Sequence, residues 1–425
     1  MSLRSYSAFV EWCKKDCDEE TIVGILRNVH SKKIPASQNF RAKAIQAIKM
    51  ALRSLLLFLP LMAIECRNKK VVGYPFIFAK LVHKSWCGIW EWVSFLHTHC
   101  VVAQSLGETL KVVSLHFIPK ALASFGWYAG LRRSMITTPG LFAILVSHWV
   151  EEDTYVTQPK LEWDQCHFAN CLDQLLLYYS SADEEDGEVV LAITNAVDGG
   201  TETVSRVALK QLSARLQYVE DEDSPHLHTV CFNLMVIHRL SSGSSLANLQ
   251  QLLCQGLAPT IVKFLNILPS KVGCRDDEIP LVIDNCMLAI ISIVSTILFS
   301  ANGPAWVSQL IDAGLVPGML SSGRWLEHID STFPSAISTG VFSHLQRYLV
   351  YRSVLRSVKK TLKDVRWMKN GQQLAEPLWQ QYLVFEKIAL NRLELKTMFD
   401  KEVALGSDPG HSGCEKRDVS VYIPT

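Results

Sequence analysis

Neither sign of charge dominates this chain of 425 residues, because its 42 Lys and Arg residues are matched by 41 Asp and Glu residues. This balance argues against a chain dominated by nucleic-acid or anionic-membrane binding, while local patches of one sign stay compatible with it. Charged residues make up 20% of the chain and hydrophobic residues 48%. These proportions exclude global disorder and supply enough apolar surface for a large buried core.

Export and membrane signals are also missing. The first residues, MSLRSYSAFVEWCKKDCDEE, lack the apolar segment of a secretory signal and carry charge early. Two apolar runs, residues 55–64 and 286–301, fall short of the ~20 residues that a membrane span requires. We expect the second run to form a buried central helix from Cys286 to Ala301, with Ile290, Ile291, Val294 and Leu298 in the core. The 12 cysteines show no disulfide-module spacing. We therefore expect reduced thiols in a cytoplasmic or nuclear protein without a transmembrane segment.

The sequence lacks enzyme signatures as well. It has no glycine-rich dinucleotide fingerprint, no phosphate-binding loop ending in Gly-Lys-Ser/Thr, no Gly-x-Ser-x-Gly and no His-Glu-x-x-His. Four clusters of Cys and His residues occur, but none has a second half at a spacing that would complete a four-ligand zinc site: Cys13 with Cys17, His97 to Cys100, Cys166 to Cys171, and His226 to Cys231. We predict a protein that is not an enzyme and has no catalytic or cofactor-binding residue.

Apolar residues at helical spacing are what the sequence has in abundance. Ser37 is suited to cap a helix in which Phe40, Ala44, Ile48 and Leu52 form one stripe. Similar patterns cover most of the chain, whereas alternating polarity is rare and glycine (22) and proline (16) are modest in number. The sequence therefore predicts an all-α fold.

A short pattern recurs along the chain. Gly140, Gly256 and Gly314 each precede a leucine and an apolar helix, and Pro259 and Pro317 follow two of them in a Gly-Leu-x-Pro pattern. A glycine with positive φ turns the chain after one helix, and the proline suits the first turn of the next. The pattern predicts three equivalent inter-helix turns, although Gly-Leu-x-Pro also serves as a general connector between helices.

The segment LLCQGLAPTIVKFL, around Gly256, resembles the turn between the second and third helices of armadillo repeats. The spacing of 58 residues from Gly256 to Gly314 exceeds the ~40–47 residues of such repeats. We therefore expect an irregular armadillo/HEAT-like α-solenoid. Its parts are an N-terminal helical region at 1–130, armadillo-like repeats at 131–405 and a disordered tail at 406–425.

The pattern of residues 347–369 predicts a basic amphipathic helix. Its apolar positions recur at intervals of three or four residues: Val350, Val354, Val358, Leu362 and Val365. The intervening cations form the candidate interaction patch: Arg352, Arg356, Lys359, Lys363 and Arg366. Such a helix can bind an acidic peptide, phosphates or an anionic membrane, and a solvated outer helix of a solenoid has the same pattern.

The tail carries a family resemblance. The helix LVFEKIALNRLELKTMFDKE, a polar linker and GCEKRDVS resemble the junction in fungal proteins that have an armadillo-like helical region before a C-terminal MYND-type zinc finger. Such a finger opens with Cys-x2-Cys, but His411 stands at the first position and Cys414 at the second; Lys416 and Asp418 are the other residues that resemble it. The resemblance implies a truncated finger, so we expect no zinc in this chain, and zinc only where a complete finger exists in the full gene product.

These observations favour a non-enzymatic scaffold that binds a protein or peptide partner, since solenoids expose long concave surfaces to extended segments. MYND fingers are similarly identified with peptide binding. The alternative is a nucleic-acid- or membrane-associated protein that uses the basic helix at 347–369.

Overall fold

A computed structural model describes residues 19–35, 43–55, 77–103, 105–126, 128–155, 171–172, 175, 186–220, 227–242, 246–271, 279–300, 303–323, 325, 335–368 and 376–406. Nearly all of these residues are helical, and none of them lies in a β-strand. The predicted all-α class is therefore confirmed. The tail predicted to be disordered lies outside the described residues from 407 onwards.

Contacts divide the chain into two compact units, Met1–Ala301 and Asn302–Thr425. The predicted boundaries at residues 130 and 405 stay predictions. The helices of the first unit are α1 (Glu19–Leu26), α2 (43–55), α3 (Ile77–Lys84), α4 (Trp86–Leu96), α5 (Glu108–Gly126), α6 (Ala129–Ile136), α7 (Leu141–Tyr155), α8 (Asp186–Asn195), α9 (Gly200–Glu220), α10 (Leu227–Ser242), α11 (Leu246–Cys254), α12 (Leu257–Ile267) and α13 (Ile279–Ser300). Those of the second are α14 (Pro304–Asp312), α15 (Leu315–Ser321), α16 (Ser335–Tyr348), α17 (Arg352–Met368) and α18 (Glu376–Gly406).

The three predicted glycine turns are confirmed. Gly140, Gly256 and Gly314 lie between helices with φ of 81°, 97° and 100°, the left-handed region in which only glycine has no Cβ penalty. Each glycine carbonyl accepts a hydrogen bond from the N–H four residues later, over 3.0 to 3.3 Å, and so starts the next helix. Pro259 and Pro317 are the third residues of α12 and α15, where no N–H partner is needed.

Helix α9 lies at the centre of the first unit and contacts α7, α8, α10, α11 and α12. A reciprocal pair of hydrogen bonds joins it to α7. The indole Nε1 of Trp149 donates to Oε1 of Gln211 over 2.8 Å, and Nε2 of Gln211 donates to the carbonyl of Trp149 over 2.9 Å. Both residues are buried, so this exchange satisfies polar groups that would otherwise destabilise the core.

The apolar run predicted to form a buried central helix belongs to α13. This helix has 22 residues and begins before the predicted start at Cys286, because Ile279 and the residues after it continue the helical turn. Its predicted core residues are buried: Ile290, Ile291, Val294 and Leu298. Val282–Ser300 is long and apolar enough to cross a membrane, the one such helix in the described part of the chain, and 61% of its most apolar stretch is buried in the fold.

In the second unit, α17 packs against α14 and α15, and α18 packs against α16. An aromatic cluster holds the latter pair together. The ring of Phe342 on α16 lies 6.0 Å from that of Tyr382 and 5.7 Å from that of Phe385, both on α18. All three side chains are buried, and such ring pairs stabilise a core beyond the area they remove from water.

Candidate interaction surface

The predicted basic helix is present as α17, and its apolar side faces the second unit's core. Its buried apolar residues recur at helical spacing and pack towards α14 and α15: Val354, Leu355, Val358, Leu362 and Val365. Val350 was expected in this stripe, but it lies in the turn before α17 and is 63% exposed. A turn residue does not follow the helical repeat, so Val350 does not continue the stripe, and Leu355 widens it instead.

The opposite side of α17 is cationic and solvated. Four members of the predicted patch are exposed: Arg352, Arg356, Lys359 and Lys363. The side chain of Arg366 lies outside the described residues. Lys360 adds a fifth exposed cation, and Asp364 is the only acidic residue on the helix. One face of α17 therefore carries a concentrated positive charge.

Only the first half of α18 is packed. Leu378, Tyr382, Phe385 and Ala389 are buried on its inner side, whereas no described residue from 390 to 403 is buried. The unpacked half still carries large apolar side chains, each more than half exposed: Leu395, Met398, Phe399 and Val403. Exposed apolar side chains in a group, unlike single ones, mark interaction sites.

The two features meet at the start of α17. The guanidinium carbon of Arg352 lies 5.7 Å from the centre of the Phe399 ring, within the range of a cation–π contact. Nη2 of Arg352 lies 3.8 Å from Oδ1 of Asp400, and Nζ of Lys396 donates to Oδ2 of the same carboxylate. The hydrogen bond from Lys396, followed by the charges of Lys396 and Arg352, lowers the pKa of Asp400.

We call this region the α17–α18 surface: Arg352, Arg356, Lys359 and Lys363 on α17, with Val384, Leu395, Met398 and Phe399 on α18. It combines fixed positive charge with exposed apolar and aromatic side chains. Both kinds of side chain can take part in the recognition of a partner.

Sequence reasoning found the basic half of this surface and missed the apolar half. A signal was present, because Val384, Ile388 and Leu395 recur at intervals of four and seven residues, which places them on one side of a helix. Phe385 and Ala389 define a different side, which is buried. A helix with one apolar side packed against α16 and α17 and another apolar side left exposed indicates a second contact surface.

Outside this surface, the first unit contains a buried histidine pair. Nδ1 of His97, in the π-helical segment His97–Val102, lies 2.8 Å from Nε2 of His148 on α7. Burial, with a smaller contribution from His97, lowers the pKa of His148 to about 3, and burial also lowers the pKa of His97. Both imidazoles are therefore neutral at pH 7, one donating to the other. The pair joins two elements of the first unit.

His238 on α10 has a similar structural role. Its Nε2 lies 2.7 Å from Oγ of Ser292 on α13. Burial, then the charge of Arg239, lowers its pKa to about 4. Cys231 and Cys286 join the same two helices through a hydrogen bond between their side chains, which with burial raises the pKa of the Cys286 thiol. These groups satisfy one another between packed helices.

Most of the predicted metal candidates lie outside the described residues, including His411, Cys414, Cys13, Cys17 and Cys166. Within the described ranges, no group of three His, Cys, Asp or Glu side chains is arranged to hold a metal ion. The cysteines there form no disulfide bond with one another; two are exposed, Cys87 and Cys254, and four are buried: Cys100, Cys171, Cys231 and Cys286.

Comparison with known proteins gives no family for this chain: no family model matches it, and no curated protein matches it.

Proposed function

We propose that this protein is a non-enzymatic protein-interaction scaffold built on an irregular armadillo/HEAT-like α-solenoid. The observation that carries the proposal is the α17–α18 surface. Large apolar side chains are left in water there, and cations of α17 begin beside them at Arg352. A surface with both features is suited to a protein partner, which can bury the first and neutralise the second.

The recurrent turn supports the solenoid part of the proposal. Gly140, Gly256 and Gly314 share a left-handed φ and the same hydrogen bond into the next helix. Gly199, close to the midpoint between the first two, also has a left-handed φ of 81° and directly precedes α9. Repeated connectors of one kind are what a solenoid needs to stack successive helices in register. The likeness to armadillo proteins with a MYND-type finger belongs to the same proposal.

Affinity capture from a cell extract tests the proposal, with the full chain as bait. The wild type should retain a reproducible protein partner, and the Arg356→Ser/Lys359→Ser/Lys363→Ser variant should lose it. A matched control removes three exposed cations from the first unit, Lys80, Arg206 and Lys263, and should retain the partner. Failure of the wild type to retain any protein above a blank resin would contradict the proposal.

The alternative function is association with nucleic acid or a membrane through the basic face of α17. It predicts binding to duplex DNA, RNA or vesicles containing phosphatidylserine that weakens steeply with salt. The exposed carboxylates of Glu394, Asp400 and Glu402 on α18 speak against it, because they would face a phosphate-rich partner. Binding of these probes at physiological salt, lost in the triple serine variant, would favour the alternative.

A further inference from the structure

We infer that the α17–α18 surface binds an acidic amphipathic α-helix of a partner protein. The inference rests on the proposed scaffold function and names the chemistry of the partner. Three features of the surface carry it: the geometry of the apolar stripe, the position of the cations beside that stripe, and the distribution of charge over both helices.

The apolar stripe has the dimensions of one helix. Ile388 and Phe399 are eleven residues apart, which corresponds to ~16 Å along α18. Leu395 and Met398 lie between them on the same side, whereas Phe385 and Ala389 point to the packed side. A row of anchors at intervals of three, four and seven residues matches the apolar face of a second helix lying alongside.

The cations flank this stripe. Arg352 lies over the ring of Phe399 and beside Asp400, so the first residue of α17 lies next to the far part of α18. Since α17 ends at Met368 and α18 begins at Glu376, the two helices run antiparallel. The row from Arg352 to Lys363 therefore runs from the Phe399 end of the stripe towards the start of α18, over ~16 Å.

The charges on the two helices are unequal. On α18, Lys and Arg residues between 386 and 402 are balanced by as many Glu and Asp residues. On α17, five cations are exposed and Asp364 is the single acidic residue. Among the described residues, Arg356, Lys359 and Lys363 have no ion-pair partner, in contrast to Arg352. A bound helix with carboxylates on the side facing α17 would supply the missing charge.

Other occupants fit less well. A second copy of this chain would place another row of α17 cations beside the first, and like charges at close range oppose association. An anionic membrane or a nucleic acid would meet the carboxylates of Glu394, Asp400 and Glu402. A nucleic acid would also leave the apolar stripe in water.

The test uses the full chain and a panel of fluorescent helical peptides of eighteen residues, with leucine at helical spacing and glutamate on the flanking positions. Fluorescence anisotropy should show binding to the wild type. Leu395→Ser/Phe399→Ser and Arg356→Ser/Lys359→Ser/Lys363→Ser should each weaken it by about tenfold or more, as loss of central anchors usually does. Replacing the glutamates with lysine should abolish it.

Matched controls remove equivalent groups elsewhere. Leu191→Ser and Val102→Ser delete exposed apolar side chains of the first unit, and Lys80→Ser/Arg206→Ser/Lys263→Ser deletes three exposed cations; neither should change the affinity. Circular dichroism and urea unfolding of each variant separate a lost surface from a lost fold.

The inference is overturned if no peptide in the panel binds, or if the controls weaken binding as much as the surface variants. It is also overturned if the surface variants leave peptide binding unchanged but abolish another interaction. That interaction would be binding to phosphatidylserine vesicles or a dimer observed by sedimentation. Capture of a cellular protein that is insensitive to the surface variants would leave the scaffold proposal standing and reject this site. A wild type that captures no protein would contradict the scaffold itself.

Discussion

Ile291 and Phe299 lie on the same helix, α13, in opposite surroundings: Ile291 is 1% exposed and Phe299 is 61% exposed. Ile291→Asp places a carboxylate without a partner in the core, which costs several kcal/mol, so the variant should unfold or become insoluble. Phe299→Asp, the matched control, should change the free energy of unfolding by ~1 kcal/mol or less. Urea unfolding followed by circular dichroism measures both. An Ile291→Asp protein as stable as the wild type would show that α13 is not a core helix.

At the same scale, His148 and His238 make the stability depend on pH. Their folded pKa values, about 3 and about 4, lie below the ordinary 6.5. Between the folded pKa values and pH 6.5, each histidine is protonated in the unfolded chain but not in the folded one. The two histidines therefore make their full contribution to the free energy of unfolding above pH 6.5, and this contribution falls as the pH is lowered. Each histidine contributes a slope of up to ~1.4 kcal/mol per pH unit in that range.

Urea unfolding between pH 7.5 and 5 tests this dependence, since carboxylates titrate mostly below that range. The slope of stability against pH should be smaller in His238→Gln than in the wild type, because the variant takes up one proton fewer when it unfolds. His148→Gln should reduce it likewise, with His97 keeping its own share. Equal slopes in all three proteins would contradict the assignment.

At the scale of the element, the glycine turns require a backbone that other residues avoid. Gly256 has a φ of 97°, and a Cβ added there would meet no atom within 4 Å, so strain of the backbone is the whole effect of Gly256→Ala. We expect a loss of ~1–2 kcal/mol, and a smaller loss for Gly256→Asn. Gly24, inside α1, has equal space but no positive φ. Gly24→Ala should therefore stabilise the protein by ~0.5–1 kcal/mol. Thermal unfolding compares the three variants, and a harmless Gly256→Ala would contradict the turn.

The two sides of α17 should respond in opposite ways. Replacing Arg356, Lys359 and Lys363 with serine should leave the free energy of unfolding within ~1 kcal/mol, because all three are exposed. Leu362→Ala, on the buried side, should cost ~2–5 kcal/mol. Chemical denaturation measures both changes. A triple variant as destabilised as Leu362→Ala would mean that the cations hold the helix in place.

The helices themselves follow from local pattern, and the surface follows from it only in part. Spacing along the chain predicted the exposed cations of α17 and the buried side of α13, because each helix repeats every 3.6 residues whatever it packs against. It could not predict that Arg352 lies over Phe399, 47 residues later, since that contact depends on how α17 and α18 pack. It also assigned Val350 to the wrong environment, because the helix begins only at Arg352.

For the whole molecule, the sequence predicts the fold class and the kind of connector, but leaves the arrangement of the helices open. The buried pair of hydrogen bonds between Trp149 and Gln211 shows why the arrangement cannot be predicted. It joins residues 62 positions apart, and neither residue type indicates its partner. The exposed half of α18 is a similar case, since only the neighbours of a helix decide which of its apolar sides is covered.

The whole chain should also contain no stoichiometric zinc. A structural zinc site needs four ligands, and the tail offers His411 and Cys414, to which Asp408 and Asp418 could add only oxygen atoms. Metal analysis of the purified protein, and of a variant that ends at Leu405, measures this. One zinc per chain that disappears on truncation would show that the tail is a working site.

The burial of four thiols makes the opening of the first unit measurable without an added probe. A thiol reagent can react at once with Cys87 and Cys254, which are exposed. It reaches the buried thiols only when the helices around them separate: Cys100, Cys171, Cys231 and Cys286. Burial also raises the pKa of Cys171, so this thiol reacts only from the opened state. The labelling rate of each buried thiol under native conditions therefore reports the free energy of local opening of its own helix. Four positions along one chain thus distinguish a unit that opens all at once from one that opens helix by helix.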